Sequence, residues 1–419
     1  IRRRRPRASF RENDGMNAES GKPVVAEEFD VVVIGGGPCG ATAAHDLARA
    51  GRRVMLLDRQ GRIKPCGGAI PPKAMVDFDI PESQLVAKAR RARMISPKGE
   101  KVVIPIEGGF VGMVDREHFD EWLRTRAAEA GAARRTGGFV RIDRDADGTA
   151  VVVYRPKGEE KMGEAVGVRA KMVIGADGAR SAVARQEIPG GEKIPYVIAY
   201  HEIIESPTAP DWDGEQCDVV YDGRISPDFY GWVFPHGANT SVGLGTEITD
   251  FNLKSATHDL RVASGLAENR TIRKEGAPIP LKPLDRWDNG RDVIVAGDAA
   301  GVVAPSSGEG IYYAMLTGRY AGDAAHAALE TGDPRKLRTA RKRFMKLHGG
   351  VFWILGVMQR YWYVNDERRE RFVAICRDKD VQELTFDAYM NKELVKAKPL
   401  AHVRIFFKNL AHLTGLAPV

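Results

Sequence analysis

The run Gly35-Gly36-Gly37-Pro38-Cys39-Gly40 constrains the fold more than any other feature of the chain. It fits G-x-G-x-x-G, and its surroundings give the pattern meaning. Ahead of it, Phe29 to Ile34 is a short Val-rich run suited to a strand buried on both faces. Behind it an Ala-rich helix is expected from about Cys39 to Ala50, with Gly51 where a helix-ending glycine belongs. Arg53 to Asp58 reads as the next strand, which completes a βαβ opening. In such a loop Gly35 makes the tight turn, Gly37 lets backbone approach a pyrophosphate, and Gly40 lets helix pack on strand. The helix N-terminus offers free N–H groups and a positive dipole end to the anion. Asp58 lies 23 residues after Gly35. An acid there accepts from a ribose 2′-OH and argues against a 2′-phosphate. The candidate dinucleotide contacts are therefore Gly35, Gly37, Pro38, Gly40, Asp58 and the adjoining Arg59. The loop by itself does not separate FAD from NAD.

With 419 residues, 43% of them hydrophobic, the chain can bury a full core in about two packed units. No run of about 18 apolar residues occurs, so a spanning helix is not expected. The nearest, Val351 to Met358, reads as part of a buried helix. The formal charge is +7, and residues 1–15 alone supply +4 through six arginines against Glu12 and Asp14. We expect Met16 to be the true start and the basic leader to be an extension. The rival is a basic arm for nucleic acid or membrane; no nucleic-acid partner is expected. The leader has no apolar h-region, so a secretory signal is not expected. Cys39, Cys66, Cys217 and Cys376 are scattered without C-x-x-C or zinc spacing. No metal site and no disulfide framework are expected, which fits a reducing, cytoplasmic setting.

Further along, residues 60–75 form an irregular Gly/Pro stretch, and Asp115 to Gly131 reads as an amphipathic helix. Val140 to Tyr154, broken at Asp147-Gly148, looks like a hairpin. Lys171 to Ile174 and Asp292 to Ala296 are short buried strands. From about 185 to 285 the texture becomes alternating and aromatic-rich. Beyond 308 it is mostly helical, with Asp333-Pro334 as a helix start.

Two more motifs follow buried strands: Gly175-Ala176-Asp177-Gly178-Ala179-Arg180-Ser181 and Gly297-Asp298-Ala299-Ala300-Gly301. Each alone is weak, because Asp-Gly turns are common. In this order after the first loop they closely resemble the three-part fingerprint of the p-hydroxybenzoate hydroxylase-like flavoproteins. That resemblance implies FAD, with Asp177, Gly178 and Asp298 among its contacts and Arg116 along its diphosphate. It also implies a helix near Gly308 whose positive end faces the flavin N1–C2 edge. Gly308 and Gly310 would let backbone N–H groups reach the ring. The fold class implied is α/β: a glutathione-reductase-type Rossmann FAD-binding domain with an inserted antiparallel β substrate domain and a helical C-terminal region. The expected division is a leader at 1–28, the FAD-binding part at 29–185, the β insert at 186–285, the FAD-binding return at 286–330 and helices at 331–419. No second G-x-G-x-x-G occurs, since Gly243-Leu244-Gly245 lacks the third glycine. NADPH would then be a transient donor, or reduced ferredoxin would deliver electrons.

Three local signatures sharpen the resemblance. Lys64-Pro65-Cys66-Gly67-Gly68-Ala69-Ile70-Pro71, then Ser226 to Pro235 around Tyr230-Gly231-Trp232-Val233-Phe234, then Ser307-Gly308-Glu309-Gly310-Ile311-Tyr312 are similar to the geranylgeranyl reductase family, nearest its chlorophyll and bacteriochlorophyll branch. The likeness runs from about Phe29 into the C-terminal region. It implies saturation of isolated double bonds, turning a geranylgeranyl chain into phytyl, on a (bacterio)chlorophyll or on the free diphosphate. On a strand Tyr230, Trp232 and Phe234 share one face. They could wall a slot for a flat, greasy isoprenoid. An isolated alkene carries no withdrawing group, so hydride alone would leave an unstabilised carbanion. Protonation must accompany or precede it, and aromatic faces stabilise the cationic carbon that develops. The resemblance places Cys66 and Gly67 near the ring, and Cys66, Tyr230 and Trp232 are the candidate catalytic residues. Cys66 either donates a proton, gates the site or only packs. Some relatives carry Cys where this chain has Ser306, which counts against a redox pair. His201 reads as a structural histidine. Phe352 to Tyr363 and the amphipathic Val403 to Leu416 are the segments expected to touch a membrane surface peripherally. The rival activity on this scaffold is aromatic-ring monooxygenation, which would incorporate oxygen. A prenyl-binding escort without turnover is a further alternative.

Overall fold

The protein is described by a computed structural model covering residues 25–59, 63–106, 109–158, 162–382 and 392, with Val25 and Ala26 as backbone only. The basic leader and the Val403 to Leu416 segment lie outside the described residues.

The opening strand runs from Val25 to Ile34, and Val31, Val32 and Val33 are fully buried, as a run apolar on both sides requires. It lies parallel between Val54–Asp58 and Val166–Gly175. Val293–Val295 extends the sheet on one side and Ala133–Arg144 on the other. From Gly137 onward, Ala133–Arg144 pairs antiparallel with Ala150–Pro156, which also pairs with the start of Val166–Gly175. The pairings therefore close into a ring, with the expected hairpin turning at Gly148 (φ +84°). Helices Pro38–Arg49 and Ile311–Thr331 pack together over the sheet. Small residues allow it: a side chain at Gly318 would strike the Cys39 backbone, and Gly322 lies over Ala43.

A second sheet has seven strands in the order Thr271–Pro280, Tyr196–Glu205, Asn239–Thr246, Gly231–His236, Gln216–Val220, Arg91–Ile95 and Lys101–Pro105. The last two strands come from within 29–185, the span expected to form the nucleotide-binding part. Division in chain order misses them because strand pairing is non-local: Arg91–Ile95 runs parallel to Gln216–Val220. One face of this sheet is covered by Leu253–Ala263, a helix not anticipated within the β insert. The other face carries Tyr230 and Trp232, and Trp362, Tyr363 and Phe372 cap it. These three belong to the C-terminal helical region, Arg338–Trp362 followed by Asp366–Ile375.

Two local expectations need correction. The irregular stretch ends earlier than expected, because Ala69–Ile70 pairs with Val111–Val114 and Pro72–Asp77 is helical behind Pro71. The Val351 to Met358 run is not wholly buried. Val351 and Phe352 face the core, while Trp353, Ile354 and Val357 are exposed. A continuous apolar run has no intrinsic inner face, and packing on one side only determines which residues turn inward.

Candidate functional site

The first loop shows how each glycine is used. Gly35 adopts φ +105°, and a side chain there would strike the Ala176 backbone. Gly40 backs onto the Gly35 carbonyl, so helix and strand approach as the motif requires. Gly37 has nothing within 4 Å of a would-be Cβ, which leaves its backbone open to a ligand. The loop is pinned by Gly35 N–H to Leu57 O (2.8 Å) and Ala176 N–H to Ile34 O (2.8 Å). Asp58 faces Arg124, whose Nη1 donates to Asp58 Oδ2 (3.1 Å) and to Gly36 O (3.3 Å). Arg124 was not foreseen, and it orients the acid expected to meet a ribose. Arg59 is exposed just beyond. A cradle with one open glycine, two packed glycines and an oriented acid fits the dinucleotide part of FAD.

The other two fingerprint stretches converge on this loop. Asp177 lies directly under Gly35, and its carboxylate is occupied locally. It accepts from Ser181 Oγ (2.5 Å) and Ala182 N (2.7 Å), capping the short helix Ala182–Glu187. Burial nevertheless pushes its pKa up. Gly178 takes φ +89° with open space around it. Gly297 packs on Cys39, the second residue of the loop's helix, and Asp298 beside it is buried and ion-paired with Lys64. Gly310 caps the 21-residue helix Ile311–Thr331 and lies beside Asp298. Gly308, at φ +66°, touches Tyr230 and Phe229. Between these glycines, Glu309 is buried and ion-paired with Lys392, and its Oε1 has no hydrogen-bond partner among the described residues.

The aromatic strand reaches the same place. Tyr230 donates to Ser307 O (2.5 Å), stacks on Phe229 (4.4 Å between centroids) and meets Trp232 edge-on (6.1 Å). Trp232 lies 6.3 Å from Phe234, so the expected stripe exists. Gly243 leaves room for the Trp232 ring, because a Cβ there would come within 2.6 Å of Cζ2. Trp232 Nε1 donates to Ser241 Oγ (3.1 Å), which also meets His201 Nδ1 (2.9 Å), and His201 Nε2 reaches Glu275 (3.0 Å). His201 is thus satisfied on both nitrogens. Burial pushes the Tyr230 phenol well above its ordinary value, which weakens it as an acid. Tyr221 and Tyr363 extend the aromatic cluster and were not foreseen.

The Cys66 loop joins these parts. A Cβ on Gly67 would sit 3.3 Å from Phe234, and Gly68 contacts His236. Cys66 is half-buried, and its sulphur accepts from Gly68 N–H (3.4 Å). The other three thiols are buried, and burial pushes Cys217 and Cys376 up to about 12. Arg116 is buried and bidentate to Asp120 (2.8 and 2.7 Å). Burial alone works against its charge, but Asp120 holds the guanidinium protonated, and the Cys66 sulphur lies within hydrogen-bond reach of it. Arg116 therefore reaches the Cys66 loop, a contact that the expected diphosphate role did not include. Removing Asp120 would strand a buried cation, so Asp120→Ala should destabilise the protein by about 3–5 kcal/mol. Urea unfolding measures this, and a change below about 1 kcal/mol would contradict the pairing.

His236 is the residue that the sequence reading most clearly passed over. It continues the Tyr230, Trp232, Phe234 face by the same alternation. Its Nδ1 lies 2.9 Å from Phe234 O, and its other side faces Gly67 and Gly68. Burial holds its pKa below the ordinary imidazole value. Folded protein therefore binds fewer protons here than unfolded chain, and stability falls as pH drops below about 6.5. His236→Gln should flatten the pH dependence of thermal stability in that window. An unchanged slope would show that His236 does not titrate as described.

The family model described as pyridine nucleotide-disulphide oxidoreductase matches residues 29–210. The chain is 61% identical to the geranylgeranyl diphosphate reductase of Rhodobacter capsulatus over 392 residues, covering 93% of this chain and 99% of that protein. It is 36% identical to the Synechocystis geranylgeranyl diphosphate reductase, covering 93% and 99%. Among solved structures, a geranylgeranyl bacteriochlorophyll reductase-like protein from Thermoplasma acidophilum superposes with a TM-score of 0.76 at 24% identity, over 90% of this chain and 99% of that one.

Proposed function

The chain belongs to the geranylgeranyl diphosphate reductase family, and from that premise we propose that it saturates the isolated double bonds of a geranylgeranyl chain to give a phytyl chain. FAD is the resident cofactor, and the substrate is a geranylgeranyl-bearing (bacterio)chlorophyll or the diphosphate itself. One observation carries this reading: the Cys66 loop and the Gly308 turn both contact the Tyr230–Trp232–Phe234 face, and Lys64 of that loop pairs with Asp298 beside the dinucleotide cradle.

FAD, when bound, supplies the hydride. Gly35, Gly37, Pro38 and Gly40 would form the loop that holds its pyrophosphate at the helix N-terminus, and Asp58, oriented by Arg124, would meet the ribose. Arg59, Gly67, Arg116, Gly178, Asp298, Gly308 and Gly310 would complete the cofactor contacts. Asp177 acts beneath them, by fixing the turn under Gly35. Trp232 and Tyr230 orient the chain and stabilise positive charge at the substituted carbon. Cys66 holds the proton that this carbon skeleton needs, and it is the half-buried thiol of the four. Tyr230 is a poorer donor, because its hydroxyl is committed to Ser307 O. NADPH, or reduced ferredoxin, delivers electrons transiently.

The experiment gives FAD-loaded protein and NADPH geranylgeranyl-bacteriochlorophyll or geranylgeranyl diphosphate, and follows product mass. Stepwise gains of hydrogen without oxygen are expected. Oxygen incorporation would select the monooxygenase reading, and FAD that no reductant can cycle would leave only binding.

A further inference from the structure

Helix Arg338–Trp362 has two very different faces. Its inner face carries Phe344, Phe352 and Trp362, and near its end Gln359 accepts from Ser306 N–H beside the aromatic cluster. Its outer face begins with Lys342, Arg343 and Lys346 and continues as Trp353, Ile354, Val357 and Tyr361, all exposed. Trp353 is 71% exposed. Over the 25 residues there are six Lys or Arg and no Asp or Glu. Val364, just past the helix, adds a further exposed apolar side chain. No helix among the described residues is long and apolar enough to cross a membrane. A helix with a basic end, an aromatic apolar outer stripe and a packed inner stripe has the pattern of one that lies in a bilayer interface.

We infer that the outer face of Arg338–Trp362 docks the protein on an anionic lipid surface. The charge pattern selects that partner. Lys342, Arg343 and Lys346 meet lipid headgroups, while Trp353, Ile354, Val357 and Tyr361 enter the headgroup–acyl boundary. Arg343 stacks over the Tyr320 ring (4.1 Å) and pairs with Asp323 (3.0 Å) at the rim of this face, so Lys342 and Lys346 are the freer cations. The inner face of the same helix ends at Trp362 and Tyr363, which pack on the cluster containing Tyr230. Docking therefore sets the aromatic cluster one helix diameter from the lipid. The inference rests on the isoprenoid reading for its purpose, but not for its test.

The test mixes the full chain with substrate-free phosphatidylcholine vesicles, with or without phosphatidylglycerol, and measures co-sedimentation. Expected is binding that requires phosphatidylglycerol and is weakened by salt. Trp353→Ser/Val357→Ser and Lys342→Glu/Lys346→Glu should each lower partitioning at least tenfold. Val76→Ser, at an exposed apolar site elsewhere, should not lower it. Brominated lipids should quench the parent's tryptophan emission more than that of the Trp353→Ser/Val357→Ser variant. Turnover of detergent-dispersed substrate should be equal in all variants. If the parent stays in the supernatant, or the variants bind as the parent does, this face is not the docking surface. Light scattering provides a further check: a dimer that both variants dissolve would mean that a second copy covers the face. Vesicle binding without any reductase activity would sink the reaction reading and leave the docking inference standing.

Discussion

Replacing Gly37 with valine should yield a folded, colourless protein. Gly37 has an extended backbone (φ −74°, ψ −175°), and no protein atom lies within 4 Å of its would-be Cβ. The scaffold should therefore lose no more than the about 1 kcal/mol typical of a poorer helix cap. The pyrophosphate, in contrast, must pass over this backbone, so a branched side chain there blocks it. FAD affinity should fall at least a hundredfold, equivalent to ~3 kcal/mol. Gly40→Val should fail differently. Its side chain would strike the Gly35 carbonyl and crowd Ala176, so the fold itself suffers by about 1–3 kcal/mol or more. Absorbance of bound flavin together with thermal melting of the apoproteins separates the two outcomes. A yellow Gly37→Val protein would contradict the proposed cradle.

The second large effect is expected at Cys66. Cys66→Ala should keep FAD and fold yet lower turnover by about 10²- to 10⁴-fold, the range for loss of a positioned proton donor. Cys66→Ser should fall between, because a hydroxyl is a weaker acid in the same place. The thiol packs in an intermediate environment between Gly68 N–H and Arg116. Its removal should therefore cost little stability, and the loss should appear in kcat rather than in substrate affinity. A Cys66→Ala enzyme within tenfold of the parent would transfer the role elsewhere, with His236, which faces the loop at Gly68, the next candidate.

Local rules were enough to read the cradle. Strand, glycine loop, helix and acid each have a period or a fixed offset, and the structure puts Gly35, Gly37, Gly40 and Asp58 in one place. The alternation that aligned Tyr230, Trp232 and Phe234 is local too. It should have been carried on to His236, but Pro235 and Gly237 look like the end of a strand. Partners distant in sequence were not legible. Arg124 reaches Asp58 across 66 positions, and Lys64 reaches Asp298 across 234. Nothing in either neighbourhood announces the other. The outer stripe of Arg338–Trp362 was hidden for another reason. The run Val351 to Met358, apolar but for Gly356, masks its own periodicity, whereas the longer window from Lys342 to Tyr361 displays it.

The hairpin Arg91–Pro105 has a practical consequence for anyone recombining this enzyme with its relatives. Its two strands form one margin of the seven-stranded sheet, although the chain visits them more than 100 residues before the Gln216–Val220 strand beside them. A graft of residues 186–285 alone would arrive with a bare sheet margin and would leave an orphaned hairpin on the host. Such chimaeras should aggregate unless residues 91–105 travel with the graft. The same stitching should make the seven-stranded sheet melt together with the nucleotide-binding span, because one margin of that sheet is built from chain of the span.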